Sequence, residues 1–107
     1  MKKTKAIADH YGKEHQTIKA IEELAELIQA LAKGDIENIK EEIADVRVML
    51  EQIEYLYGIS DDEITLRMCA KLWRQLERME GENDSMRQAN EAVKRKACAV
   101  HRRAVAV

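Results

Sequence analysis

Four glycines and the absence of proline constrain the fold of this 107-residue chain more than any other feature. The glycines lie at positions 12, 34, 58 and 81. The segments between them are rich in Ala, Glu, Lys, Leu and Ile, which favour helices strongly over strands. Because glycine suits the position just after a helix, the spacing predicts long helices at about 13–33, 36–57 and 61–80. A short segment precedes them and ends at Gly12.

Cap residues support these boundaries. Asp35 suits the N-cap of the second long helix, and Ser60 with Glu63 forms an S-x-x-E capping box before the third. A weaker helix is predicted from about Ser85 to the end. The connections are only a few residues long, so neighbouring helices should be antiparallel. The predicted fold is an all-α bundle of three to five helices, completed by oligomerisation because such short amphipathic helices leave apolar surface uncovered.

The charge is distributed unevenly along the chain. Residues 1–83 contain 12 basic and 18 acidic side chains, a net charge of −6, whereas residues 84–107 contain 6 and 2, a net charge of +4. This predicts a helical domain over 1–83 and a basic C-terminal helix or tail over 84–107. An acidic body argues against nucleic acid as a general partner.

Cellular location is predicted from what the sequence contains and lacks. No apolar run reaches transmembrane length, and the first ten residues have no apolar core of the kind found in signal peptides. Two cysteines, Cys69 and Cys98, do not make a disulfide framework. We therefore expect a cytoplasmic protein with reduced thiols and no membrane partner.

Carboxylates crowd into two clusters on consecutive predicted helices, EELAE at 22–26 and EEIAD at 41–45. The first cluster borders an apolar stripe, here called the Ile/Leu arc, made of Ile18, Ile21, Leu24, Ala25, Ile28 and Leu31. On this helix alone, a solvated acidic face is the simpler interpretation. On the next helix, Glu42 falls inside an apolar arc and Asp45 lies at its edge. That arc consists of Ile39, Ile43, Val46, Met49, Leu50 and Ile53.

A carboxylate that points into a core must be paired, protonated or bound to metal, because an isolated buried charge is very costly. One carboxylate could pair with an arginine. Several carboxylates on two facing helices outnumber the cationic side chains nearby. A bound divalent cation would neutralise the excess negative charge. Ligands that are all oxygen suit Mg²⁺, with Mn²⁺ as the alternative, rather than Zn²⁺.

The third long helix carries a basic ridge, defined by Arg67, Lys71, Arg74 and Arg78. The spacing of +4, +3 and +4 aligns these side chains along one side of the helix. Alone, the ridge is equally well interpreted as a solvated face. Next to an acidic metal site, it suits a clamp for phosphate oxygens, and a metal with a cationic clamp is what phosphoryl chemistry requires.

These motifs resemble a known family. The first carboxylate cluster spells E-E-x-x-E (Glu22, Glu23, Glu26), and E-x-x-D (Glu42, Asp45) follows after fifteen residues. A K-x-x-R-x-x-x-R helix comes next, with Lys71, Arg74 and Arg78. Over roughly residues 7–80 the chain resembles the MazG-like nucleoside triphosphate pyrophosphohydrolases of the all-α NTP pyrophosphatase superfamily. Domain 1–83 would then be a MazG-like catalytic domain, while the tail matches no feature of the family.

The resemblance implies Mg²⁺-dependent cleavage of a nucleoside or deoxynucleoside triphosphate to the monophosphate and pyrophosphate. It also implies a homodimer or homotetramer with sites near subunit contacts. Five carboxylates would be metal ligands or the base that activates water: Glu22, Glu23, Glu26, Glu42 and Asp45. Lys71, Arg74 and Arg78 would hold phosphates, and Lys19 could contact them too. Glu23 lies farthest from the Ile/Leu arc, which favours a shared or outer-shell role.

Three alternatives remain open. A related enzyme could hydrolyse another pyrophosphate-linked nucleotide, such as dUTP or phosphoribosyl-ATP. A non-catalytic helical interaction protein could use its charges only to solubilise an exposed bundle. A nucleic-acid adaptor could act through the basic tail.

Overall fold

A computed structural model of the chain describes residues 2–82, 91 and 93–99. The helices are α1 (Lys2–Tyr11), α2 (Lys13–Lys33), α3 (Ile36–Tyr57) and α4 (Asp61–Glu82), and residues 93–99 are also helical. Within these described ranges there is no strand, so the all-α prediction is confirmed. The remainder of the weaker helix predicted from about Ser85 lies outside the described residues.

The predicted helix boundaries agree closely with the structure. Gly34 and Gly58 follow α2 and α3 in the left-handed conformation, with φ of 75° and 67°. Asp35 caps α3, since its side chain accepts a hydrogen bond from the Asn38 backbone nitrogen at 3.4 Å. Gly81 was expected to end the third long helix, and this expectation is wrong because α4 continues to Glu82. A glycine inside a helix costs only about 1 kcal/mol relative to alanine, which is too little to terminate it.

The chain divides into two compact units, Met1–Ser60 and Asp61–Val107. In the first unit, α2 and α3 pack along narrow stripes that contain small and polar side chains. The buried residues of α2 are Gln16, Ala20, Glu23 and Ala30, and those of α3 are Val46, Met49 and Gln52. Two side-chain hydrogen bonds join α1 to α3, from Tyr55 to Asp9 at 2.8 Å and from Thr4 to Glu51 at 3.1 Å.

The Ile/Leu arc does not form the core of the single chain. Its isoleucines and leucines are 42–68% exposed. The Ile/Leu arc of α2 therefore faces away from α3. The reason is steric, because the small side chains of Ala20 and Ala30 let α3 approach closely along a different stripe.

The second unit contains α4 and residues 93–99. Lys94 joins the two segments, because its Nζ lies 2.9 Å from a Glu80 carboxylate oxygen. No residue of α4 is buried. Within the described part of the chain, no helix combines the length and the apolar character needed to cross a bilayer. The division at residue 83 into a catalytic domain and a basic tail stays a prediction.

Candidate metal centre

Four carboxylates come together in the first unit. They are Glu23 and Glu26 of α2, and Glu42 and Asp45 of α3. One oxygen from each side chain lies within 4.8 Å of the chosen oxygens of the other three. This spacing allows one cation to contact ligands from both helices.

The local structure of each helix explains why these side chains meet. Residues three apart lie on the same side of an α-helix, and both pairs, Glu23 with Glu26 and Glu42 with Asp45, have this spacing. The two-residue turn at 34–35 reverses the chain, so α2 and α3 run antiparallel. Each pair of carboxylates therefore faces the other pair across the helix interface.

Two of the four carboxylates are partly or largely removed from water. Glu23 is only 8% exposed, and Glu42 is half-buried. The Oε2 atoms of both are enclosed and accept no hydrogen bond. An enclosed carboxylate oxygen without a partner is costly, and a bound cation or a proton would relieve that cost.

The electrostatics of the cluster agree with this geometry. Burial raises the pKa of the Glu42 carboxyl above its ordinary value, and the negative charge of Glu26 raises that pKa further, with smaller contributions from Asp45 and Glu23. Without a cation, the cluster therefore holds on to a proton at Glu42 more strongly than an isolated glutamate would.

One positive charge already lies beside the cluster. Lys19 Nζ lies 3.3 Å from Glu23 Oε1 and 3.7 Å from Glu22 Oε2. The hydrogen bond to Glu23 raises the pKa of Lys19, and the charges of Glu23 and Glu22 add to this effect. Lys19 therefore balances one oxygen of Glu23 and leaves the enclosed oxygen without a partner.

The fifth predicted carboxylate, Glu22, lies outside the group of four. Its side chain is 59% exposed and contacts Lys19. Glu23, by contrast, is buried in the group, although it lies farthest from the Ile/Leu arc. The exposure of Glu22 and the burial of Glu23 have the same cause. The Ile/Leu arc faces outward, so the opposite side of α2 faces α3.

The predicted phosphate-binding residues of the basic ridge belong to the second unit. Lys71, Arg74 and Arg78 lie on α4, and all three side chains are exposed. Their approach to a substrate held by the first unit stays a prediction. Exposure at least leaves their charged groups available to a polyanion.

Sequence interpretation overlooked a buried polar pair on the same two helices. Gln16 Nε2 donates a hydrogen bond of 2.7 Å to Gln52 Oε1, and both residues are almost inaccessible to water. A signal for Gln52 existed in the sequence, since it follows Asp45 and Met49 at +7 and +3 on one side of α3. Gln16 had no comparable signal, because its neighbours Lys13, Thr17 and Lys19 are polar as well.

The residues fit a hard divalent cation. All four candidate ligands offer carboxylate oxygens, which Mg²⁺ and Mn²⁺ prefer, and neither cysteine nor histidine belongs to the group. The enclosed oxygens of Glu23 and Glu42 supply the positions that a cation would satisfy.

An acidic centre held between antiparallel helices defines the class, an all-α protein with a carboxylate cluster suited to binding a metal ion. The family model described as the MazG nucleotide pyrophosphohydrolase domain matches residues 13–78, which include both carboxylate pairs and most of α4. The chain therefore belongs to the MazG family of nucleotide pyrophosphohydrolases. Searches of curated proteins and of solved structures found no match.

Proposed function

We propose that the protein is a Mg²⁺-dependent hydrolase that converts a nucleoside or deoxynucleoside triphosphate to the monophosphate and pyrophosphate. One observation carries this proposal: four carboxylate oxygens lie within 4.8 Å of one another, and Glu23 and Glu42 each have an enclosed oxygen without a partner. Membership of the MazG family supports the general reaction. The nucleotide, the sugar and the ion are parts of the proposal.

Mg²⁺ bound by Glu23, Glu26, Glu42 and Asp45 would neutralise phosphate charge and make a water molecule more acidic. In the reaction, the oxygen of water forms a bond to phosphorus, and the anhydride bond between the α- and β-phosphates breaks. A carboxylate of the cluster accepts the proton of the attacking water, and pyrophosphate leaves. The buried position of Glu23 favours a direct ligand role over an outer-shell role.

Cationic side chains complete the proposed site. Lys19 would contact a phosphate, and the position of its ammonium group beside the cluster supports this role. Lys71, Arg74 and Arg78 would bind the remaining phosphate oxygens and stabilise the charge that develops during cleavage. Glu22, paired with Lys19 on the outer side, would orient that lysine rather than bind the ion.

We also propose that the active form is a homodimer or homotetramer. The Ile/Leu arc supports this, because five large apolar side chains that are 42–68% exposed would be covered by a second copy. The arc lies on α2, the helix that also carries Glu23 and Glu26. Subunit contact and metal site would therefore share one helix.

The test is a panel of common nucleotides and phosphoribosyl-ATP with Mg²⁺, in which released pyrophosphate and orthophosphate are measured separately. Pyrophosphate from one or more triphosphates, lost in the Glu42→Gln variant, is the expected result. Turnover of phosphoribosyl-ATP alone would identify a different substrate class. Absence of turnover together with absence of Mg²⁺ binding in calorimetry would reject the enzymatic function in favour of a helical interaction protein.

A further inference from the structure

The buried Gln16–Gln52 pair lies on the two helices that carry the carboxylates. Gln16 is 3% exposed and Gln52 is 2% exposed. Their side-chain amides form a directed chain, in which His15 Nδ1–H donates to Gln16 Oε1 at 2.6 Å and Gln16 Nε2 donates to Gln52 Oε1 at 2.7 Å. Gln52 Nε2 then contacts the Met49 sulfur at 4.0 Å. This chain joins α2 to α3 across their buried interface.

The glutamine pair and the carboxylates are equally spaced along the two helices. Glu23 comes seven residues after Gln16, and Asp45 comes seven residues before Gln52. Glu26 comes ten residues after Gln16, and Glu42 comes ten residues before Gln52. In an antiparallel pair, equal counts from one contact lead to residues that face each other. The glutamine contact and both carboxylate contacts therefore belong to a single register of α2 on α3.

That register is opposed by the carboxylates themselves. Four acidic groups with oxygens within 4.8 Å repel one another when no cation is present. A slip of α2 along α3 by one turn would relieve the repulsion and would move facing residues apart by about 5.4 Å. That displacement exceeds the 4.8 Å span of the four oxygens, so a one-turn slip would disperse the ligands.

The glutamine pair makes such a slip costly. The neighbouring positions on the buried stripes are apolar, Ala20 on α2 and Met49 on α3. After a slip in one direction Gln52 would face Ala20, and after a slip in the other Gln16 would face Met49. Either slip leaves a buried amide without a partner, which costs about 1–3 kcal/mol. A single buried polar pair is the device by which packed helices commonly specify register.

We propose that Gln16 and Gln52 are positioning residues that hold α2 and α3 in the one register that assembles the carboxylate ligands before the ion arrives. The inference rests on the proposed metal binding. The pair does not touch the ion, and its contribution is to keep the ligand oxygens together against their own repulsion. Preassembled ligands bind a cation more tightly because less reorganisation accompanies binding.

The experiment uses Gln16→Met, Gln52→Met and the double variant, since methionine keeps the unbranched shape and lacks the amide. Mg²⁺ and Mn²⁺ affinities are measured by calorimetry without nucleotide, and thermal unfolding is followed in chelator. Each single variant should lower the Tm, because one amide remains buried and unpaired. The double variant should recover the wild-type Tm, yet bind the ion about tenfold more weakly than wild type.

A matched control is available on the same helices. Tyr57 and Thr17 make an exposed hydrogen bond of 2.8 Å between α3 and α2, so Tyr57→Phe removes a similar bond that is not buried. Tyr57→Phe should leave metal affinity unchanged. An equal loss of affinity in this control, or wild-type affinity in the double methionine variant, would overturn the positioning role.

Two further outcomes are separable. If the wild-type protein binds neither ion, the proposed function fails, and the positioning role fails with it. If the wild type binds the ion and the glutamine variants bind it with the same affinity, the positioning role fails and the proposed function stands. Should the double variant not fold, Gln16→Asn replaces it: the shorter amide should weaken ion binding, and unchanged affinity would count against the proposal.

Discussion

Lys19 Nζ lies 3.3 Å from Glu23 Oε1, so a lysine of α2 occupies the outer side of the carboxylate that is most deeply buried in the metal centre. Lysine and a divalent cation would share this carboxylate through its two different oxygens. The same ammonium group that binds Glu23 is the one proposed to contact substrate phosphate. Metal affinity and substrate affinity should therefore respond oppositely when the lysine charge is removed.

Lys19→Met should bind Mg²⁺ a few-fold more tightly, because a positive charge beside the ligands is removed. The same change should lower kcat/KM for a triphosphate about tenfold, since a charged contact to phosphate is lost. Calorimetry and steady-state kinetics measure the two effects. Lys40→Met is the matched control, because Lys40 makes an exposed ion pair of 3.0 Å with Glu37 on α3. A Lys19 variant with wild-type kinetics would place this lysine outside the substrate site.

Glu42→Gln should reduce kcat about a thousandfold while the protein stays folded, because the amide keeps the shape and removes the charge. The metal-free variant should also melt at a higher temperature than the wild type, since a half-buried charge among like charges is removed. Differential scanning fluorimetry in chelator and with added Mg²⁺ tests both points. Glu41→Gln is the control, as the neighbouring Glu41 is exposed and lies outside the cluster. Equal Mg²⁺-dependent stabilisation of Glu42→Gln and wild type would remove Glu42 from the site.

Stability should depend on pH through Glu42. Its pKa is raised in the folded chain above the ordinary value of 4.5, mainly by burial. The folded state therefore binds this proton more tightly than the unfolded state does, and the contribution of Glu42 destabilises the metal-free fold at pH values above the raised pKa. That destabilisation should fade as pH falls through the raised pKa towards 4.5. It should be absent from Glu42→Gln, and Tm measured against pH in chelator for both proteins gives the difference.

Metal binding should show the opposite pH dependence. Protons and the cation compete for the same carboxylate, so Mg²⁺ affinity should decrease as pH falls through the raised pKa of Glu42. Calorimetry at several pH values measures this decrease. An affinity that stayed constant from neutral pH down to pH 4.5 would show that Glu42 does not bind the ion.

Much of the fold could be predicted from the sequence, because the relevant signals are local. Gly34, Asp35 and Gly58 mark the ends of α2 and α3, and helical periodicity placed Glu42 inside an apolar arc with Asp45 at its edge. The convergence of the carboxylate pairs followed from the three-residue spacing and the short turn between the helices. To predict these features it is enough to know the geometry of a single helix and that the chain reverses direction between α2 and α3.

The orientation of α2 could not be predicted in the same way. A helical wheel shows which residues share a direction, but it does not show where the neighbouring helix lies. The sequence shows that the large apolar side chains share one side of α2, whereas α3 packs on the stripe that contains Ala20 and Ala30. The burial of Glu23 and of Gln16 depends on that choice, which is a tertiary effect.

Arg74→Ala should lower kcat/KM for triphosphates about tenfold or more, because a guanidinium contact to phosphate is lost. Arg74→Lys should recover only part of the loss, since lysine keeps the charge without the planar pair of donors. Steady-state kinetics at fixed Mg²⁺ provide the measurement. Wild-type kcat/KM in the alanine variant would mean that the basic ridge of α4 is a solvated face.

Ile28→Glu should dissociate the proposed oligomer. Ile28 lies in the middle of the Ile/Leu arc and is 68% exposed in the single chain. Burying an isoleucine stabilises an interface by about 1.5–3 kcal/mol, and burying a glutamate there without a partner destabilises it further. Sedimentation equilibrium should therefore show weaker association by at least about tenfold.

Ile36→Glu introduces the same change at an isoleucine that is 67% exposed but lies outside the arc, and it should leave the assembly intact. Equal effects of the two substitutions, or a wild-type protein that sediments as a monomer, would show that the arc is not the subunit contact.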